Sequence, residues 1–297
     1  MASVIANGIA LEYEWYGDRR NPVVLGIVGF SDQLTSWPAA IVGTIVDSGY
    51  SFLAFDSRDM GLSTHFRAAG HPDVARVLRG DDSFALPYTL RDMAQDTIAL
   101  MDALHIERGH LIGYSMGGAV AQLAAIAAPG KVASVATIFS TSYAPDLPKR
   151  NEAVRSLMLK CCAPGTPKAA WIGATTELLQ AIAGRVHGVD ETLRADVTRL
   201  ADRAFDPGGT ARHVLAIADY GRAPALAELG DLKMPFLVLQ SDDDPLFSLA
   251  HGEDMCRRIP DARLVVIEGA GHLLGSSVAP VIGRAALAHL DACENRA

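Results

Sequence analysis

Gly113, Tyr114, Ser115, Met116 and Gly117 form the pattern GxSxG. Glycines two positions either side of a serine matter because a sharp strand-to-helix turn strains the residue at its tip and lifts its side chain into the open. A hydroxyl held in that way could attack an electrophilic carbonyl and become acylated. Alone, the pattern arises by chance on the order of 0.1 times in a chain of this length. Its flanks add weight. An apolar run at 110–112 precedes it and a helix-forming run at 119–128 follows, as a strand, turn and helix require.

A serine hydroxyl is a poor nucleophile at neutral pH, so a base must take its proton and a carboxylate must hold that base in the right tautomer. Two later apolar runs end in suitable groups. Residues 237–240 lead into Ser241, Asp242, Asp243, Asp244 and Pro245, and residues 265–267 lead into Glu268, Gly269, Ala270, Gly271 and His272. The chain order is then Ser, Asp, His. Asp244 is the expected acid because Pro245 fixes a turn behind it, with Asp243 in reserve. His272 is the expected base, since small neighbours let its loop reach across to the serine. Among the 9 histidines His65 is the main competitor, and it is expected to border the pocket. Two backbone N–H groups should face the oxyanion, one from Met116 and one from Phe30 in the Gly29-Phe30-Ser31 loop.

The elements that must position these groups are legible as apolar runs at 23–28, 52–55, 110–113, 132–139, 235–240 and 263–267. Continuous rather than alternating hydrophobicity suits parallel strands covered on both faces, so the class is α/β, a mostly parallel central sheet flanked by helices. Residues 11–16 alternate in polarity and predict an antiparallel edge strand. Helices are expected at 89–104, with Thr89 and Asp92 as a capping box, at 116–128, and near 279–293. From about 143 to 230 the chain is helix-like, broken by prolines and without a plausible strand. That divides it into a core at 1–142 and 231–297 and an inserted helical cap at 143–230, over the sheet edge where α/β ligands sit. Substrate-contacting residues are expected at Gly29, Ser31, Trp37, Leu157, Met158, Trp171 and Leu273.

A net charge of -8 and a pI near 5.6 argue against nucleic acid and anionic membranes as partners. The N-terminal stretch lacks a basic region followed by a long apolar run, so a cytoplasmic location is expected. The 4 cysteines have no CxxC spacing and read as reduced thiols, and no His cluster has metal-ligand spacing. No metal and no cofactor is expected. The expected partners are a small-molecule ester and water, with a homodimer left open.

GYSMGG at 113–118, FDSRDMGLS at 55–63, PYTLRDMAQD at 87–96 and the late DDP and GAGH segments resemble the α/β-hydrolase family along almost the whole chain. Gly29-Phe30 up to Trp37-Pro38, and the Arg58-Asp59-Met60-Gly61 turn, are most similar to bacterial ester hydrolases of the aclacinomycin methylesterase type. The resemblance implies carboxylic ester hydrolysis through Ser115, His272 and Asp244, no cofactor, and a helical cap that selects the substrate. Many members begin the oxyanion loop with His-Gly, whereas this chain has Val28-Gly29, which removes a buried hydrogen bond that would brace the loop. Members that dehalogenate or open epoxides carry aspartate at the nucleophile position, so Ser115 argues against both reactions. Lactone hydrolysis and cofactor-free perhydrolysis use the same three residues, and a non-catalytic small-molecule receptor uses the same fold.

Overall fold

Apolar runs become the interior strands of an eight-stranded sheet in a computed structural model, which describes residues 1–79, 81, 84–149, 151–186 and 192–295. The strands are β1 (Ala2–Ala6), β2 (Ile9–Tyr16), β3 (Val23–Ile27), β4 (Ser51–Phe55), β5 (Gly109–Tyr114), β6 (Val132–Ile138), β7 (Phe236–Ser241) and β8 (Ala262–Ile267), in the order β1-β2-β4-β3-β5-β6-β7-β8. All pairings are parallel except β1 with β2 and β2 with β4. Every residue of β3, β4, β6 and β7 is buried, which is what continuous apolar sequence requires.

Two expectations about the sheet margins are corrected. The strand around 11–16 is antiparallel but not an edge, because β1 folds back on it through Asn7 and Gly8, both at positive φ. An Asn-Gly pair is a hairpin signal that the alternation argument passed over. At the other margin, 263–267 is not covered on both faces: β8 is the terminal strand, Ile267 is its one buried residue, and Val266 is 40% exposed.

Helices α1 (Ala39–Val46) and α11 (Ala279–Glu294) lay Ile41, Ile45, Ile282 and Leu290 on one face of the sheet. A one-turn helix, α2 (Val74–Val77), lies in the connection from β4 to α3 (Leu90–Ala103). The other face is covered by α3, by α4 (Met116–Ala127), and by the helix between β7 and β8, residues Leu249–Arg258. Thr89 and Asp92 form the expected capping box on α3. Between β6 and β7 lie α5 (Glu152–Cys161), α6 (Lys168–Ala181), α7 (Leu193–Arg203), α8 (Pro207–Tyr220) and α9 (Leu226–Leu229), with no strand among the described residues there. The helix at Leu249–Arg258 is therefore α10.

Buried ion pairs tie these inserted helices to the sheet. Asp59 binds Arg212 of α8 through two hydrogen bonds of 2.7 Å, and Asp56 accepts from Arg203 of α7 at 2.8 Å. Burial alone would push the Asp59 carboxyl up, but Arg212, the Tyr88 hydroxyl and the Phe66 N–H outweigh it and hold it below the usual carboxylate range. Arg58 meets Asp96 of α3 at 2.6 Å, twice. The Asp56, Arg58 and Asp59 positions of the FDSRDMGLS segment thus serve as anchors. Gly61 (φ 54°) is obligatory beside them, since a Cβ there would stand 2.0 Å from Asp56 Oδ2.

Candidate active site

Ser115 sits at the tip of the turn from β5 to α4 with φ 54° and ψ −119°, a strained conformation for a side-chain-bearing residue. Close packing explains its flanks. A Cβ on Gly113 would lie 2.3 Å from the Gly117 carbonyl oxygen, and one on Gly117 would lie 2.2 Å from that of Ile27. Ser115 N–H donates to Ile138 O at 2.9 Å, and Ser140 Oγ donates to Ser115 O at 2.8 Å, so neighbouring β6 holds the turn in place.

Three loops converge on this turn. His272 Nε2 lies 2.9 Å from Ser115 Oγ, and His272 Nδ1 lies 2.6 Å from Asp244 Oδ2. Asp244 Oδ1 accepts the Leu246 and Phe247 N–H groups at 2.7 and 3.0 Å, which leaves its other oxygen for the imidazole. The three consecutive acids divide three tasks. Asp242 accepts from Gly269 N–H at 2.6 Å and, with Arg185 added, its carboxyl is held below the usual range. Asp243 accepts from Arg185 N–H at 2.7 Å, so the reserve acid faces away from His272. His272 N–H donates to Ile182 O at 2.7 Å, and Tyr114 Oη donates to His272 O at 2.5 Å.

Phe30 and Met116 line the cavity beside Ser115, and among the described residues neither backbone N–H donates to a protein acceptor. The loop that carries Phe30 does not rely on the missing histidine. Leu34 N–H donates to Asp56 at 2.7 Å, Gln33 Nε2 to Leu200 O at 2.8 Å, and the Ser31 and Thr210 hydroxyls meet at 2.9 Å.

A cavity of about 90 Å³ opens beside Ser115 and His272, and a larger cleft of about 650 Å³ lies between α7 and the Phe30 loop. Asp32, Tyr114, Leu179 and Leu200 line both. Of the residues expected to contact substrate, Ser31, Met158 and Trp171 line the smaller cavity, and Trp37 and Leu273 line the larger. Gly29 and Leu157 line neither. Leu157 packs instead with Val154, Leu246 and Phe247, where a fully apolar side chain on the inner face of α5 is best buried. His65 does not border the cavity either. Its Nδ1 lies 2.6 Å from Asp206 and its Nε2 3.0 Å from Gly61 O, which hold it in the anchor around Arg212. Asp59, His65 and Asp206 bring possible ligand atoms within 4.8 Å of one another, but Arg212 already supplies a cation there, with Asp59 at 2.7 Å and Asp206 at 3.6 Å.

Sequence reasoning missed Tyr143 and Phe247, which line the smaller cavity, and Asp32. Phe247 packs edge-on against His272 with ring centroids 5.5 Å apart. The turn that begins at Asp244 was a usable signal for it; Tyr143, at φ 60° beyond β6, carried none. No helix is long and apolar enough to cross a membrane among the described residues.

Comparison with known proteins gives a consistent picture. The rhodomycin D methylesterases of Streptomyces sp. (strain C5) and Streptomyces peucetius are 27% and 24% identical to this chain, each alignment covering 96% of this chain and 96% of the relative. Among solved structures the enol-lactonase from Burkholderia xenovorans LB400 superposes with a TM-score of 0.76 at 20% identity, covering 98% of this chain and all of that one, which supports the fold. The sequence profile of the alpha/beta hydrolase family matches residues 29–281, and with a serine at the tip of the strand-to-helix turn the chain belongs to that family.

Proposed function

We propose that the protein hydrolyses carboxylic esters through an acyl-enzyme on Ser115. One observation carries the reading: an unbroken hydrogen-bonded line from Asp244 through His272 to Ser115 Oγ ends on a cavity. His272 takes the Ser115 proton as the hydroxyl attacks the ester carbonyl, and the Phe30 and Met116 N–H groups receive the oxyanion. The imidazolium, faced by Asp244, gives that proton to the departing alkoxide. Water then enters and loses a proton to His272 as its oxygen attacks the acyl carbonyl, and the imidazolium returns that proton to the departing Ser115 oxygen as the acid is released.

The acyl group is apolar and the alcohol small. Met158, Trp171 and Leu178 line the smaller cavity, and the most similar relatives named above are methylesterases. Residues 143–230 act as the cap that shapes this selection, with 1–142 and 231–297 as the core. Cys161, Cys162, Cys256 and Cys293 are all thiols, which suits a cytoplasmic site of action.

A fluorophosphonate probe should label Ser115 alone, and p-nitrophenyl butyrate should turn over many times per enzyme. Labelling at another residue, or tight binding of esters without turnover, defeats the proposal. The same preparation assayed on lactones, and on a carboxylic acid with hydrogen peroxide, separates lactonase and perhydrolase activity from ester hydrolysis.

A further inference from the structure

Asp32 is a carboxylate that the reaction scheme leaves unused. Among the described residues it is the one carboxylate lining the cavity beside Ser115 and His272, and it also lines the larger cleft. Its backbone follows Ser31, at φ 62°, and its N–H reaches back to Gly29 O at 3.4 Å. The carboxylate lies against the loop: a Cβ on Gly29 would stand 3.1 Å from Asp32 Oδ2 and 3.0 Å from the Tyr114 ring.

The charges around it are mostly committed elsewhere. Across the cleft, Arg199 of α7 pairs with Asp196 and Arg203 with Asp56, while Tyr114 and His272 face Asp32 from β5 and from the loop after β8. Its hydrogen-bond partner is the Ser36 hydroxyl, and among the described residues no lysine or arginine pairs with it. Burial pushes its carboxyl up to about 6, against the opposing pull of Ser36 and His272. At pH 8 it is therefore an anion with no cation of its own, partly desolvated and open to whatever occupies the site.

We infer that Asp32 determines specificity: its carboxylate, shared by both chambers, favours substrates carrying a cation or a hydrogen-bond donor near the ester and rejects those carrying a carboxylate. The inference rests on Ser115 being the nucleophile. Unit charges about 7 Å apart at an effective dielectric of about 20 differ from neutral by roughly fiftyfold in affinity, and solvent in the cleft reduces that to about tenfold.

Three arylboronic acids of similar shape test it, because boron accepts the Ser115 oxygen reversibly while the serine proton passes to His272. The probes are 3-(aminomethyl)phenylboronic acid, 3-methylphenylboronic acid and 3-carboxyphenylboronic acid, titrated calorimetrically into the full chain at pH 8. The cationic probe should bind at least about tenfold more tightly than the anionic one, with the neutral probe between. Asp32→Asn should shrink that spread to less than about threefold, and Asp32→Ser serves if the first variant does not fold. Equal binding of the three probes by the wild type, or a spread that survives in the neutral variants, overturns the inference. Turnover of p-nitrophenyl butyrate is read separately, so failure of the ester reading and failure of the Asp32 inference give different results.

Discussion

Two carboxylates, Asp244 and Asp59, are equally buried, each follows a sheet strand, and each is bonded to a basic side chain at 2.6 to 2.7 Å; yet one belongs to the candidate site and the other to an anchor. Asp244 pairs with an imidazole whose second nitrogen meets Ser115 Oγ beside a cavity. Asp59 pairs with Arg212, a guanidinium that keeps its charge at any accessible pH and is itself enclosed. Burial and pairing are therefore common to chemistry and to architecture. What differs is whether the partner can give up a proton and whether an open space lies beyond it.

Removing the Ser115 hydroxyl is the strongest way to sharpen that contrast. Ser115→Ala should lower kcat by on the order of 10^5 to 10^6 with no loss of thermal stability, and Asp244→Asn by about 10^4, both measured on p-nitrophenyl butyrate alongside a melting curve. At the anchor the order of effects should reverse. Asp59→Asn strands the buried Arg212 charge and should cost about 3 to 5 kcal/mol in urea unfolding, while kcat of the folded fraction stays within about tenfold. If Asp59→Asn instead folds normally and loses turnover as Asp244→Asn does, the two carboxylates share a role and the comparison collapses.

Acid should separate the regions as well. Burial pushes the Asp206 carboxyl up, but His65, the Gly209 N–H and Arg212 outweigh it and hold it at about 2. Being lowered, its contribution to stability is complete above the ordinary carboxylate range and is lost as pH falls toward about 2, and that of Asp59, also lowered, is lost in the same direction. His65 has the opposite sign: the Asp206 hydrogen bond raises it, so its share is complete below the ordinary imidazole range and fades as pH rises through the folded value. Circular dichroism from pH 7 downward should show the fold intact to about pH 4. Unfolding well above that pH would contradict the assignment of Asp59 and Asp206 as anchors held by charge. The smallest effect is expected at the surface: replacing Arg185, 58% exposed and paired with Asp242 and Asp243, by alanine should leave the urea unfolding midpoint nearly unchanged.

How much of this was legible depends on the distance over which each cause acts. The α3 capping box, Thr89 with Asp92, spans three residues and could be read directly. The glycines flanking Ser115 could be read as a turn, although the atoms that exclude a Cβ there include the Ile27 carbonyl, far away in the chain. Asp243 and Asp244 are neighbours of identical type; the preference for Asp244 rested on Pro245, whereas Arg185 draws the other two acids of that turn outward. Asp32, Tyr143 and the lining role of Phe247 had no local mark, since a residue's exposure to a cavity depends on elements that arrive from elsewhere. Leu157 shows the converse, an apolar residue on an inserted helix whose buried face meets Leu246 and Phe247 rather than the cavity.

By itself the sequence determined the sheet's apolar interior, the strand-to-helix turn at Ser115 and the α/β class, because each follows from periodicity and sterics within a few residues. Only the tertiary structure decided that Arg185 draws the other two acids of that turn outward, which strands lie at the margins, and that Asp59 and Arg212 join the inserted helices to the sheet. Those outcomes turn on contacts between residues up to 153 positions apart, and no local preference of the chain encodes which distant partner will be nearest.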